Sequence, residues 1–145
     1  MKYLLDASAL LPLITSRGKQ LISEASKQDL FTTDLAIYEA CNTLWKLSAL
    51  LKTISIEDAT NIVAAIKDIT SYEIIQPINH TELDLASTLK MAHQQNLTFY
   101  DASYIITAKS LEATFVTDDE KLRKVANKHV KTMTYTDFER ELITN

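Results

Sequence analysis

Tyr3-Leu4-Leu5-Asp6-Ala7-Ser8 begins as an apolar run, stops at an acid and passes at once into a helical pattern. Such a run predicts a short strand, starting almost at the first residue, that delivers the chain directly into a helix from about Ser8. Alternation of this kind continues along the chain. More helix is expected across residues 17–27, and Asp29-Leu30-Phe31-Thr32 suggests a second strand. Residues 34–51 carry the clearest helical period, with Ile37, Ala40, Cys41, Leu44, Ser48 and Leu51 on one face. Ser55 has the chemistry of an N-cap with Asp58 three residues on, and the apolar stripe Ile62, Val63, Ile66 and Ile69 follows it. Glu73-Ile74-Ile75-Gln76 predicts a third strand closed by Pro77, with helices next over about 81–95 and 99–110. Ala113-Thr114-Phe115-Val116-Thr117 is a β-rich fourth strand. A helix from about 119 to 127, a weak strand near Lys131–Met133 and a last helix over 136–143 complete the pattern. Strands separated by whole helices need crossover connections, so the expected architecture is α/β: a three-layer α/β/α sandwich with a short parallel sheet.

Composition narrows the class. A length of 145 residues with 46% hydrophobic and 23% charged residues fits a globular chain, read as one domain over residues 1–145. The single Cys41 has no partner for an internal disulfide, which suits a reducing compartment. No apolar run nears the length needed to span a bilayer, and the N-terminal run meets an acid too early for a signal peptide. The cytoplasm is the expected location. One glycine, Gly18, rules out a glycine-rich phosphate loop or dinucleotide fingerprint. A net charge of −4 argues against holding nucleic acid by bulk electrostatics, but not against a nuclease, because a divalent cation and a local basic patch can supply positive charge where it is needed.

Four acids stand out by position. In open parallel sheets ligands bind beyond the carboxyl ends of the strands. Asp6 and Asp119 lie at such ends, although each also suits the N-cap of a following helix. Glu39, Asn42, Thr43 and Lys46 fall at i, i+3, i+4 and i+7, a polar stripe that reads equally as a solvated face or as a carboxylate with a lysine one turn beyond. Asp101 sits in the first turn of a helix with Thr98 as its cap, where complementarity to the helix dipole accounts for an acid without any function. Its large apolar neighbours nevertheless predict partial enclosure, and an enclosed carboxylate needs a partner. As a set, four separated carboxylates suit Mg²⁺ or Mn²⁺, hard cations with oxygen ligands. His80, His93 and His129 lack zinc-type spacing. Lys121, Arg123, Lys124, Lys128 and Lys131 follow the fourth acid and, with Lys46, are candidate phosphate contacts or simply a solvated face.

Leu4-Leu5-Asp6-Ala7-Ser8, the helical Glu39 with Asn42 and Lys46, Leu97-Thr98-Phe99-Tyr100-Asp101-Ala102, and Val116-Thr117-Asp118-Asp119, in that order, resemble the signature of PIN-domain ribonucleases. In size the chain is most similar to the VapC-type toxin branch of toxin–antitoxin pairs. The resemblance covers essentially the whole chain. It implies an α/β/α fold, Mg²⁺ or Mn²⁺ as cofactor, and hydrolysis of RNA phosphodiesters to leave a 5′-phosphate. It maps the family's acids onto Asp6, Glu39, Asp101 and Asp119, with Asp6, Asp101 and Asp119 as metal ligands and Glu39 either binding metal or orienting water. The hydroxyls of Ser8 and Thr117 map onto supporting positions. Asp118 competes with Asp119 for the fourth role, and spacing favours Asp119. The implied partners are an RNA substrate, a cognate antitoxin covering the acidic site, and a second copy in a homodimer docked through apolar residues of the early helices.

Three rival readings stay open at this level. An aspartyl phosphatase would also place a nucleophilic Asp6 after the first strand, but usually carries a second Asp two residues on, where this chain has Ser8. An inactive PIN-like binding module and a housekeeping RNA-processing nuclease share the motifs and differ in activity or in the neighbouring gene.

Overall fold

The computed structural model describes residues 1–144 and shows five parallel strands flanked by eight α-helices. In chain order these are β1 (Lys2–Leu5), α1 (Ala7–Arg17), α2 (Gln20–Ala25), β2 (Asp29–Thr33), α3 (Asp34–Trp45), α4 (Ile56–Ser71), β3 (Gln76–Ile78), α5 (Leu85–Gln95), α6 (Phe99–Leu111), β4 (Thr114–Val116), α7 (Glu120–Ala126), β5 (Thr132–Met133) and α8 (Tyr135–Thr144). Strand order across the sheet is β3-β2-β1-β4-β5, and every neighbouring pair is parallel.

Alternation along β1 divides the core between the two faces. Tyr3 and Leu5 pack with Leu10, Leu13, Leu44, Ile66 and Phe138, from α1, α3, α4 and α8. Leu4 points the other way and joins Phe115, Met91, Ile105, Leu122 and Ala126, so α5, α6 and α7 cover the second face. This is the three-layer sandwich expected from the alternation of strands and helices.

Several boundaries differ from expectation, each for a local reason. Gly18, at φ 47°, ends α1, and the helix expected over 17–27 shrinks to the short α2. The helix expected to 51 stays α-helical only to Trp45 and then passes through a π-turn over Lys46–Leu50. That extra residue per turn shifts the phase, so Leu51 leaves the buried face and is 65% exposed. In α4 the buried stripe is Ala59, Ile66 and Ile69, while Val63 faces outward.

The third strand is Gln76–Ile78, not 73–76. Glu73 adopts φ 53°, and the backbone N–H groups of Ile74 and Ile75 both donate to the Ile69 carbonyl, so this apolar run closes the end of α4 instead of pairing with the sheet. Pro77 therefore lies inside the strand and not after it. Its missing N–H is tolerated because β3 is an edge strand bonded only to β2. The helix expected from 81 starts at Leu85, where the Asp84 carboxylate accepts from the Ser87 N–H at 2.9 Å. The caps expected at Ser55 and Thr98 are both present.

Candidate functional site

After β1 the chain continues to β2 and β3 on one side of the sheet, and the later strands β4 and β5 lie on the other. The carboxyl ends of β1 and β4 therefore flank the point where the winding reverses, the place in a doubly wound sheet where a crevice opens. Asp6 follows β1 there, and Thr117, Asp118 and Asp119 follow β4.

Asp6 is 6% exposed and held from several sides. Its Oδ1 accepts from Ser8 Oγ at 2.6 Å and from the Ala9 N–H at 3.1 Å, and its Oδ2 accepts from Thr117 Oγ1 at 2.5 Å. It is thus an N-cap, as its position allowed, but one buried at the mouth of a crevice. Burial pushes its carboxyl up to about 6, even though the Ser8, Thr117 and Ala9 donors favour the ionised form. The two hydroxyls also tie the strand ends together. The Thr117 hydroxyl accepts from the Asp119 N–H at 3.1 Å, and Ser8 Oγ accepts from the Asp118 N–H at 2.9 Å.

A cleft of about 510 Å³ opens beside Asp6, and Ser8, Glu39, Asn42, Thr43, Lys46 and Asp119 line it. The polar stripe of α3 faces this cleft, not open solvent alone. Asp118 and Asp119 separate clearly. The Asp118 carboxylate turns away to accept from the Tyr135 N–H at 2.9 Å, whereas Asp119 stays on the cleft and caps α7 through the Leu122 N–H at 3.0 Å. Asp101 does not line this cleft, but it lies within electrostatic reach of Asp119. Burial first, and the Asp119 charge second, hold its carboxyl above the usual range.

Each of the four acids is turned toward a local donor: Asp6 to Ser8 and Thr117, Asp101 to Thr98, Asp119 to Leu122, and Glu39 to Tyr104. Accordingly, among the described residues no three His, Cys, Asp or Glu side chains are grouped to hold a metal ion. The donor chemistry nevertheless fits a hard divalent cation. The cleft offers carboxylate, hydroxyl and amide oxygens and no thiolate or imidazole.

Among the basic candidates, Lys46 lies on the cleft and Lys121 is exposed on α7. Lys124 pairs with Glu120 at 3.2 Å on the surface. The Arg123 guanidinium donates from Nη1 to the Thr117 carbonyl at 3.0 Å and braces the end of β4.

Reading the sequence alone does not single out Tyr104. It is 2% exposed and donates its hydroxyl to Glu39 Oε1 at 2.9 Å. Burial, then the charges of Glu39 and Asp6, push its phenol far above the ordinary tyrosine range, so it remains a donor. The only signal in the sequence is its spacing, three residues after Asp101 on the same helix.

Residues 3–128 match the family model described as the PIN domain. Exonuclease VapC9 of Pyrobaculum aerophilum is 34% identical over 122 residues, 84% of each chain. Ribonuclease VapC3 of the same organism is 29% identical over 129 residues, covering 84% of this chain and 92% of the relative. The crystal structure of PAE2754, also from P. aerophilum, superposes over the full length of both chains with a TM-score of 0.75 at 31% identity. The VapBC-1 structure from nontypeable Haemophilus influenzae shares the fold, with a TM-score of 0.59 at 18% identity over 94% of this chain and 99% of that one.

Proposed function

The chain belongs to the PIN domain family, in its VapC-type branch, and from that premise we propose that it is a divalent-metal-dependent endoribonuclease acting as the toxin of a toxin–antitoxin pair. The observation that carries the reading is the buried Asp6 at the reversal point of the sheet, sharing one cleft with Glu39 and Asp119. A carboxylate kept in so desolvated a place at a cost to the fold is best explained by a cation it binds in use. No described helix is long and apolar enough to cross a membrane, and the proposed setting is the cytoplasm. The whole of residues 1–145 acts as one nuclease domain in this reading.

Asp6, Asp101 and Asp119 would hold Mg²⁺ or Mn²⁺. When bound, the cation supplies positive charge at the scissile phosphate and acidifies water beside it. Ser8 and Thr117 fix both oxygens of Asp6 by hydrogen bonds, so the ligand's direction is set before the substrate arrives. Glu39, on a regular helix and exposed to the cleft, either completes the ligand set or accepts a proton from the attacking water. Lys46 and Lys121 meet flanking phosphates of the RNA, and the downstream product keeps its 5′-phosphate. A small antitoxin with a basic side chain covers the same cleft. The protein forms a homodimer, and its large exposed apolar residues are concentrated on α3–α4 (Tyr38, Trp45, Ile56) and α5–α6 (Leu89, Tyr100).

The decisive experiment uses a linear and a circular RNA of the same sequence. With Mn²⁺ or Mg²⁺ the protein should cleave both, and EDTA should abolish both activities until metal is restored. The name of the relative VapC9 favours a second mode, removal of nucleotides from an end. Cleavage of the linear RNA with the circle left intact would establish that mode instead. Failure on both RNAs with either metal would favour an inactive binding module.

The lysine assignment makes its own prediction. Lys46→Ala and Lys121→Ala should weaken RNA binding and flatten its log–log salt dependence by roughly 0.7 per lysine lost. Arg123→Ala should in addition lower thermal stability, because its guanidinium donates to the Thr117 carbonyl at the end of β4. A slope insensitive to both lysines removes them from the RNA path.

A further inference from the structure

The geometry points to Tyr104 as a positioning residue that fixes the carboxylate of Glu39 for the metal-dependent reaction by holding one of its two oxygens. This rests on the ribonuclease reading above and adds a residue to it. Glu39 projects from an exposed position on α3, and a free glutamate there would sample several rotamers. Ordering such a side chain costs roughly 1–2 kcal/mol of rotamer entropy. The Tyr104 hydroxyl removes that freedom before substrate or metal arrives, by donating to Oε1 at 2.9 Å and leaving Oε2 uncommitted.

The tyrosine is itself rigid. Its ring stacks on Phe115 of β4, with centroids 5.5 Å apart and planes 16° from parallel. Phe115 is fully buried, and it lies two residues before Thr117 and four before Asp119. Tyr104 also sits three residues after Asp101 on α6. One side chain thus references Glu39 of α3 to the helix carrying Asp101 and to the strand leading to Asp119. A carboxylate on an otherwise independent helix is tied to the rest of the acidic set through it.

Tyr104→Phe tests this, because it keeps the ring, its stacking and its burial and removes only the hydroxyl, which also meets the Thr33 side chain. Glu39 can turn to water, so the melting temperature should hold within a degree or two. The kcat for RNA cleavage should fall about tenfold with KM for RNA unchanged, as expected for loss of a hydrogen bond to a charged group. Mn²⁺ affinity, read by calorimetry without substrate, should weaken by about tenfold. In a double-mutant cycle Tyr104→Phe should add little to the catalytic loss of Glu39→Gln, since the hydroxyl reaches the reaction through that carboxylate. Unchanged kcat together with unchanged Mn²⁺ affinity, or losses that multiply with Glu39→Gln, would overturn the assignment. If the wild type cleaves no RNA yet the Mn²⁺ shift is present, the positioning role stands and the ribonuclease reading falls.

Discussion

Asp6→Asn is expected to lower RNA cleavage by about a thousandfold or more while making the metal-free protein more stable. The two effects have one origin. The wild-type carboxylate is buried, and burial raises its pKa from the ordinary 3.8 to about 6. A group whose folded pKa lies above its unfolded value favours the fold fully below the unfolded value and loses that contribution as pH rises through the folded one. Between roughly pH 4 and 6, metal-free wild type should therefore lose stability as pH increases, and by neutral pH the deficit is at most about 3 kcal/mol. Asparagine removes the charge but keeps Oδ1 to accept from the Ala9 N–H and the Ser8 hydroxyl, and the Thr117 hydroxyl can reverse direction to accept from the amide nitrogen. Thermal denaturation at pH 5 and pH 7.5 measures the effect: the gap between variant and wild type should be wide at the higher pH and narrow at the lower. Saturating Mn²⁺ should close or invert the gap, because only the wild type presents the carboxylate ligand. A variant less stable than wild type at pH 7.5 without metal would show that Asp6 is structural. Retained cleavage would remove it from the site.

The adjacent acids should behave oppositely. Asp119→Asn is expected to reduce cleavage by on the order of a hundredfold, since it faces the cleft and, after burial, its charge is what raises the carboxyl of Asp101. Asp118→Asn should leave cleavage within about threefold of wild type, because its carboxylate faces Tyr135, where an amide oxygen accepts the same N–H. Asp119→Asn should also relieve the repulsion on Asp101, bringing that group back toward its ordinary range, which a carboxylate NMR titration would detect. The opposite order of activities would transfer the fourth position to Asp118 and require the β4–α7 turn to rearrange when metal and RNA bind.

Tight coupling between strand ends makes this turn a sensitive place. Ser8 accepts from the Asp118 backbone and donates to Asp6, while Thr117 donates to Asp6 and accepts from the Asp119 backbone. Two hydroxyls thereby fix the Asp6 carboxylate and the backbone of the turn that carries Asp119. In sequence they are merely small residues beside acids, and their assignment there rests on resemblance to a family. Their hydrogen bonds join residues more than a hundred positions apart, a relation no local pattern can express.

The sequence by itself determined the class of fold, because strands and helices differ in period and because strands divided by helices can pair in parallel only through crossovers. It also determined which acids end strands, since an apolar run that stops at Asp6, or two residues before Asp119, is a local feature. Helix caps at Ser55 and Thr98 were legible for the same reason. Where one apolar run suited two uses, sequence could not choose: Ile74 and Ile75 close a helix because the Ile69 carbonyl is available to them, and the strand begins only at Gln76. Tertiary structure alone decided that Asp119 and not Asp118 faces the cleft, that Arg123 braces a strand end, and that Tyr104 reaches Glu39. Each depends on side-chain direction across elements that meet only after packing. A buried tyrosine on a helix looks like core until the partner of its hydroxyl is in place.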